Sequence, residues 1–205
     1  MAAAKNGHTD IVRTLLSTRT DDLFTSLAID AAAKNGHTNI VHILRDAGVN
    51  CYNVPIFAAE NGHVDIINIF LNTATKDDDL KDRLSAGLKA AVSSGHTDVV
   101  RLLLDAGIRN YDALSVAAEN GYTDIVRLLL DAGVQVLEDW EDGDVDRINT
   151  LWRRALPAAA KNGYTDIIRL LLDAGIRNDY ALTVAIENGY DDIVDILGNV
   201  EFEKK

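Results

Sequence analysis

The sequence predicts an all-α fold, a helical repeat solenoid of about seven helix–turn–helix repeats. An Asn-Gly motif followed by His or Tyr recurs along the chain, once with Ser in place of Asn. Each copy separates an alanine-rich stretch from a stretch whose apolar residues have helical spacing. The motif glycines are Gly7, Gly36, Gly62, Gly95, Gly121, Gly163 and Gly189, at spacings of 29, 26, 33, 26, 42 and 26 residues.

The repeat over residues 113–133 shows how each repeat is expected to fold. Its first helix is short and rich in alanine, which has the highest helix propensity and lets neighbouring helices approach closely. Gly121 ends that helix, and Thr123 is expected to be the N-cap of the second. Gly133 is expected to close the repeat. The second helix carries an apolar stripe formed by Ile125, Val126, Leu129 and Leu130.

These residues form the pattern A-L-x-x-A-A-x-x-G-[HY]-x-[DE]-I-V-x-x-L-L-x-x-G, which resembles the ankyrin repeat. The resemblance covers roughly four-fifths of the chain. It implies stacked helix pairs that share one core, and a function in protein–protein interaction. It also implies that partners bind finger tips and the exposed side of the first helices. The residues at the family's core positions are Leu114, Ala117, Ala118, Gly121, Ile125, Val126, Leu129 and Leu130.

The repeats are shorter than the family's usual length. An ankyrin repeat has about 33 residues, including a β-hairpin finger. The tight spacing here is 26 residues, and only residues 108–113 separate Gly107 from Leu114. Because this connector is too short for a two-stranded finger, we predict a tight loop there and no regular sheet.

We predict a single domain over residues 1–205, with irregular connectors at 17–27, 72–85 and 134–154. Exposed insertions in a repeat array often carry the specific contacts of that array. The 134–154 insertion is therefore expected to help bind a partner. Its second half could form an added helix, since three apolar residues there have helical spacing, namely Ile148, Leu151 and Trp152.

The net charge is strongly negative. The chain has 20 Lys and Arg against 32 Asp and Glu, a formal charge of −12. Such a charge repels phosphates and anionic lipids, so we predict no nucleic-acid or membrane partner. A protein partner is expected to present a basic surface, attracted also by the acidic segment 138–146. A calcium loop is not predicted in that segment, because Trp140 stands where an oxygen ligand is needed.

No set of residues predicts catalysis, a cofactor or a metal site. Four histidines follow the repeat glycine as turn residues, namely His8, His37, His63 and His96. No pair of cysteines lies at metal-ligand spacing from them. Cys51 is the only cysteine and has no activating partner in the sequence. We predict a non-enzymatic protein without cofactor or metal, in a reducing compartment: the cytoplasm, or a host cytoplasm for a translocated effector.

The candidate partner-binding residues form three groups. One group precedes the repeat glycines, on the side that would be concave in an ankyrin-like array, where its members either contact a partner or serve as caps and solvated charges. Trp140 and Trp152 either pack the insertion against the array or anchor a partner. Tyr111 and Tyr180, near the short connectors, are the third group. The first group contains Lys34, Glu60, Glu119, Lys161 and Glu187.

The most direct interpretation is an interaction scaffold or adaptor that binds a partner protein through the concave face and the 134–154 insertion. The alternative is the non-catalytic targeting region of a longer enzyme or secreted effector.

The chain is expected to begin inside a repeat. Other first helices start eight residues before their glycine, whereas Met1 is six residues before Gly7. We therefore predict an incomplete first repeat that frays or pairs with another copy, giving a monomer or weak self-association through the N-terminal end.

Overall fold

The structure, a computed structural model, describes residues 1–18, 22–72, 78–137 and 152–202. These residues form helices joined by turns, and no strand is found among them. They fall into two compact units, the N-terminal unit (Met1–Arg109) and the C-terminal unit (Asn110–Lys205). The predicted all-α repeat architecture is confirmed. That the two units form a single domain stays a prediction.

The N-terminal unit contains four helix pairs. First helices pack on first helices and second helices on second helices, so each pair covers one side of the next. The pairs are α1 (Ala2–Lys5) with α2 (Thr9–Ser17), α3 (Asp22–Lys34) with α4 (Thr38–Asp46), α5 (Val54–Glu60) with α6 (Val64–Leu71), and α7 (Asp78–Ser93) with α8 (Thr97–Asp105).

The C-terminal unit repeats the same arrangement with three pairs. They are α9 (Ala113–Asn120) with α10 (Thr123–Leu137), α11 (Ala155–Lys161) with α12 (Thr165–Asp173), and α13 (Tyr180–Asn188) with α14 (Asp191–Phe202).

The turn inside each pair depends on its glycine. Gly121 has φ 76°, and all seven motif glycines lie between 73° and 76°, in the left-handed region that favours glycine. The N–H of Tyr122 donates to the Ala117 carbonyl at 3.1 Å, and its own carbonyl accepts from Val126 N at 2.9 Å. Tyr122 thus closes one helix and caps the next. Thr123 is the first helical residue, and Tyr122 before it is the N-cap. The prediction of Thr123 as the N-cap is therefore wrong, and the turn is one residue shorter than expected.

Small residues on the first helices let these helices approach closely. Ala32, Ala58 and Ala117 are fully buried. Helix α7 lies so close to α5 that a Cβ at Gly87 would be 3.3 Å from the Pro55 carbonyl oxygen. The apolar stripes of the second helices complete the core, and the opposite side of each first helix faces solvent.

The short connectors hold no hairpin. The residues between Gly107 and Leu114 form turns without strands, as predicted. Within the C-terminal unit, Asn110 Oδ1 accepts a hydrogen bond from Asp112 N at 3.1 Å, and Asn178 repeats this turn with Tyr180 N at 3.0 Å. A side-chain turn therefore replaces the finger.

An arginine closes the second helix before each of these connectors. The Arg109 guanidinium donates to the Leu104 carbonyl at 2.8 Å and to the Ile108 carbonyl at 3.1 Å. Arg177 donates in the same way to the Leu172 carbonyl at 2.6 Å. These bonds satisfy carbonyls that the end of a helix leaves without intrahelical partners.

Two predicted connectors are largely helical. Helix α3 begins at Asp22 and α7 at Asp78, so the predictions of irregular chain over 17–27 and 72–85 are wrong for most of each segment. In α7 the reason is visible in the sequence. Acidic residues in the first turn favour the helix N-terminus, and leucines four residues apart place a buried stripe on the core. These leucines are Leu80, Leu84 and Leu88.

Gly133 does not end its repeat. Helix α10 continues through it to Leu137, because Val, Gln, Val and Leu follow it instead of a turn-forming sequence. The Trp152 ring lies directly against Gly133, and a Cβ there would overlap the ring. The predicted added helix around Ile148 and Leu151 lies, apart from Trp152, outside the described residues.

Candidate binding surface

The candidate residues before the repeat glycines share one location, the solvent-facing end of a first helix. All five predicted members are exposed. Because the alanines of each first helix are buried, these polar residues point away from the core. They lie at α3 (Lys34), α5 (Glu60), α9 (Glu119), α11 (Lys161) and α13 (Glu187).

In the N-terminal unit, Lys34 makes contact with the next first helix. Its Nζ lies 3.9 Å from the centroid of the Phe57 ring. This cation–π contact joins α3 to α5 on the exposed side. Phe57 is only half-buried, whereas alanine occupies the matching positions of α3 and α7, namely Ala31 and Ala90.

A second cation–π contact joins the loop before α5 to α7. The Arg83 guanidinium carbon lies 4.1 Å from the centroid of the Tyr52 ring. The backbone N–H of Tyr52 donates to Asn50 Oδ1 at 2.8 Å, which fixes the loop that carries the ring. Tyr52 is nevertheless 55% exposed, so its ring is held in place but open to contact.

A carboxylate of α3 also contacts the loop before α5. Asn53 Nδ2 donates to Asp30 Oδ2 at 3.4 Å. Burial raises the pKa of the Asp30 carboxyl, and this effect is only partly opposed by the Asn53 hydrogen bond and the Lys34 charge. We name Asp30, Lys34, Tyr52, Phe57 and Arg83 the cation–aromatic surface.

Cys51 is next to this surface but is not activated. Burial raises the pKa of its thiol, more than the nearby Arg45 charge lowers it. Its Sγ donates to the Val49 carbonyl at 3.2 Å. The thiol therefore stays protonated near neutral pH, the form that is the weaker nucleophile.

The tyrosines and tryptophans of the prediction have different environments. Tyr180 is 61% exposed at the start of α13, whereas Tyr111 is half-buried. Trp152 is half-buried against Gly133. This position fits the packing interpretation of that residue. Trp140 lies outside the described residues.

The turn histidines of the N-terminal unit join successive pairs, as structural turn residues do. The His63 ring covers Gly36, where a Cβ would be 2.8 Å from it, and His63 Nε2–H donates to the Lys34 carbonyl at 3.1 Å. The His37 and His96 rings lie on Gly7 and Gly62 in the same way. In the described part of the chain, no group of three or more His, Cys, Asp or Glu could hold a metal ion.

The cation–aromatic surface was not predicted as a unit. Only Lys34 belongs to the predicted set, and Tyr52, Phe57, Asp30 and Arg83 were missed. The sequence does contain a signal for two of these residues, Tyr52 and Phe57. Tyr52 stands ten residues before its glycine, as Tyr111 does, and Phe57 replaces a small residue of the other repeats. The pairing with Arg83 depends on tertiary contact and has no sequence signal.

Among the described helices, none is both long and apolar enough to cross a membrane.

Two family models match the chain. One, described as ankyrin repeats (3 copies), covers residues 55–139, and the other, ankyrin repeats (many copies), covers 1–45 and 114–172. No curated protein sequence matches significantly. Ankyrin repeats generally mediate protein–protein interaction and are typically non-catalytic.

Similar solved structures are also ankyrin repeat domains. The crystal structure of the human ASB11 ankyrin repeat domain has a TM-score of 0.65 and 22% identity, over 90% of this chain and 90% of that one. An ankyrin repeat domain from Acinetobacter baumannii AYE has a TM-score of 0.60 and 26% identity, over 86% of this chain and 97% of that one. By its family models and its fold, this chain belongs to the ankyrin repeat family.

Proposed function

We propose that the chain is a non-catalytic binding module that anchors a partner protein on the cation–aromatic surface. The observation that carries this proposal is the pair of contacts across three first helices, Lys34 on Phe57 and Arg83 on Tyr52. Tyrosine and arginine are enriched among the residues that dominate binding energy in protein interfaces.

The side chains of this surface are ordered before binding. Each cation is already held on a ring, and Asn50 fixes the Tyr52 backbone. Ordering a flexible side chain on binding costs about 0.5–1.5 kcal/mol, so a surface that is already arranged keeps more of its contact energy as affinity. The rings remain open enough to bury apolar area against a partner.

The charge distribution favours a basic partner. The N-terminal unit has 11 Lys and Arg against 13 Asp and Glu, whereas the C-terminal unit has 9 against 19. We propose that the C-terminal unit attracts the partner over a distance and that the cation–aromatic surface holds it. The acidic 138–146 segment belongs to the attracting part. Long-range attraction acts mainly on the association rate and weakens with salt.

We also propose that the protein acts in a reducing, cytoplasmic environment, because its only cysteine is kept as a thiol.

The experiment compares partner binding by matched arginine variants. A partner is captured from cell extract on the full chain, and its Kd is then measured with purified proteins by calorimetry. Arg83→Ala and Tyr52→Ala are each expected to weaken binding about tenfold or more. Arg101→Ala is the control, since Arg101 is exposed on a second helix and belongs to neither cation–π pair.

The proposal fails if Arg83→Ala and Tyr52→Ala bind like the wild type while thermal melting shows them folded. Raising the salt concentration tests the charge component separately, because an unchanged association rate would contradict attraction by the C-terminal unit.

A further inference from the structure

Large apolar side chains are exposed mainly at two edges of the chain. Among the described residues, five such side chains lie at the edge formed by α1, α2 and the start of α3, and three at the edge formed by α13 and α14. We call these the leading edge and the trailing edge. The leading edge exposes Met1, Ile11, Leu15, Phe24 and Leu27, and the trailing edge exposes Tyr180, Ile186 and Tyr190.

The leading edge carries residues that other pairs bury. Ile11 is 50% exposed, while Ile40 at the matching position of α4 is fully buried. Leu15 is 45% exposed, while the matching Leu44 is 1% exposed. An apolar groove beside them continues across α1 and α3. This edge therefore has the composition of a buried contact between two helix pairs.

The trailing edge has the same property. Ile186 is 60% exposed, yet its matching residues Ala118 and Ala160 are fully buried by the next pair. Tyr180, the first residue of α13, adds exposed apolar area to this pair, whereas the Tyr190 ring is partly covered because it lies on Gly163 of the preceding pair.

The turns show how the two edges fit together. Inside the chain, five turn rings each cover the glycine of the preceding pair, namely those of His37, His63, His96, Tyr164 and Tyr190. His8 is exposed at the leading edge. At the trailing edge, Gly189 has φ 73°, like the covered glycines, and no described atom would come within 4 Å of a Cβ there. The leading edge therefore has a turn ring that covers no glycine, and the trailing edge has a turn glycine that no ring covers.

The two edges differ in charge. Residues 1–27 carry three basic side chains, Lys5, Arg13 and Arg19, against three acidic ones, Asp10, Asp21 and Asp22, and so have no net charge. The trailing pair over residues 179–195 has no Lys or Arg. Its five acidic residues are Asp179, Glu187, Asp191, Asp192 and Asp195. Two trailing edges would place like charges together, whereas a leading edge brings no net charge, so leading on trailing is more favourable than trailing on trailing.

We propose that the leading edge of one copy of this chain binds the trailing edge of a second copy, continuing the packing of its own repeats. His8 then covers Gly189 of the partner copy, and His8 Nε2–H donates to the Glu187 carbonyl as His96 does to that of Glu60. By the same packing, Ile11 of one copy is buried against α14 of the second copy, and Ile186 of the second copy against α1 of the first. The contact is heterologous, so it leaves one edge of each kind open for further copies.

Sedimentation of the full chain at increasing concentration tests this proposal. The mass is expected to rise above the monomer's 22.3 kDa with concentration. Ile11→Glu and Ile186→Glu should each shorten the assemblies to monomer, because each places a charge in the contact. Both residues are at least half exposed, so both variants should keep the wild-type melting temperature at a dilution where the wild type is itself monomeric.

Mixing the two variants gives the decisive measurement. Ile11→Glu keeps a wild-type trailing edge and Ile186→Glu a wild-type leading edge, so their mixture should form a 1:1 dimer and stop there. Asn68→Glu, on the exposed side of α6, is the control and should associate like the wild type. A monomer at every concentration, an unaffected single variant, or a mixture that stays monomeric would each overturn the proposal.

Discussion

The two compact units use the same turn but join successive turns with different rings. In the N-terminal unit, His63 covers Gly36 and also donates its Nε2–H to the Lys34 carbonyl. In the C-terminal unit, the Tyr164 ring covers Gly121, and the matching Glu119 carbonyl accepts from Asn162 Nδ2 at 3.2 Å instead. Covering the glycine and satisfying the carbonyl are thus separate tasks, which one residue or two can perform.

The units also differ in charge. The N-terminal unit has a net charge of −2 and the C-terminal unit −10. Both cation–π contacts are in the nearly neutral unit. The proposed partner surface therefore lies in the unit where like-charge repulsion is least, and under the same proposal the acidic unit acts at longer range.

Replacing the turn ring by alanine should lower the free energy of unfolding more in the C-terminal unit than in the N-terminal unit. We expect Tyr164→Ala to lower the free energy of unfolding by about 2–4 kcal/mol and His63→Ala by about 1–2 kcal/mol, because the phenol ring buries more apolar area. Urea unfolding followed by circular dichroism measures both. Equal losses, or a larger loss for His63→Ala, would show that the imidazole hydrogen bond outweighs ring area.

Removing the side-chain donor to the carbonyl should lower the free energy of unfolding by less than removing the ring, and by a similar amount in both units. His63→Phe keeps a ring over Gly36 but leaves the Lys34 carbonyl without its donor. Asn162→Ala leaves the Tyr164 ring in place and removes the donor to the Glu119 carbonyl together with the 3.1 Å bond to the Ala158 carbonyl. Asn61→Ala, which removes only the equivalent bond to the Phe57 carbonyl, is the control. We expect His63→Phe and Asn162→Ala each to cost about 1 kcal/mol in the same urea experiment. If Asn162→Ala left the free energy of unfolding unchanged, water would satisfy the Glu119 carbonyl equally well. Whether one residue or two cover the glycine and bind the carbonyl would then not affect stability.

The sequence predicts the parts of the fold that depend on local pattern. The helix pairs, the left-handed turn glycines and the missing fingers all follow from spacing within about 26 residues. The turn histidines also lie where their motif places them. These features need no knowledge of which repeats touch.

The remaining features depend on contacts between residues distant in sequence. Gly133 has the position of a closing glycine, but its role is set by the Trp152 ring packed against it. Tyr52 and Arg83 meet only because α5 and α7 are adjacent in space. A single sequence, read one repeat at a time, gives no measure of such pairings, and so most of the cation–aromatic surface was missed.

The smallest expected effect is a pH-dependent contribution to stability from the first helices, which we expect in the N-terminal unit at Asp30 and not at the matching position of the C-terminal unit. Asp30 is a partly buried carboxylate of α3, and the matching residue of α9 is Ser115, whose Oγ donates to the Asp112 carbonyl at 2.9 Å. Burial raises the pKa of Asp30 in the folded chain. As pH rises, the unfolded chain releases this proton first, so ionisation of Asp30 lowers stability above its unfolded pKa and has no effect below it.

Asp30→Asn removes that ionisation and keeps an acceptor for Asn53. We expect it to raise the free energy of unfolding at pH 7 by about a few tenths of a kcal/mol, a small gain because the carboxyl is only partly removed from water. At about pH 3, where the wild-type carboxyl is protonated in both states, the gain should vanish. Ser115→Ala is the control, and its effect should be the same at both pH values. A loss for Asp30→Asn at pH 7, or a gain that persists at pH 3, would mean that contacts of the Asp30 side chain, rather than its ionisation, determine its contribution.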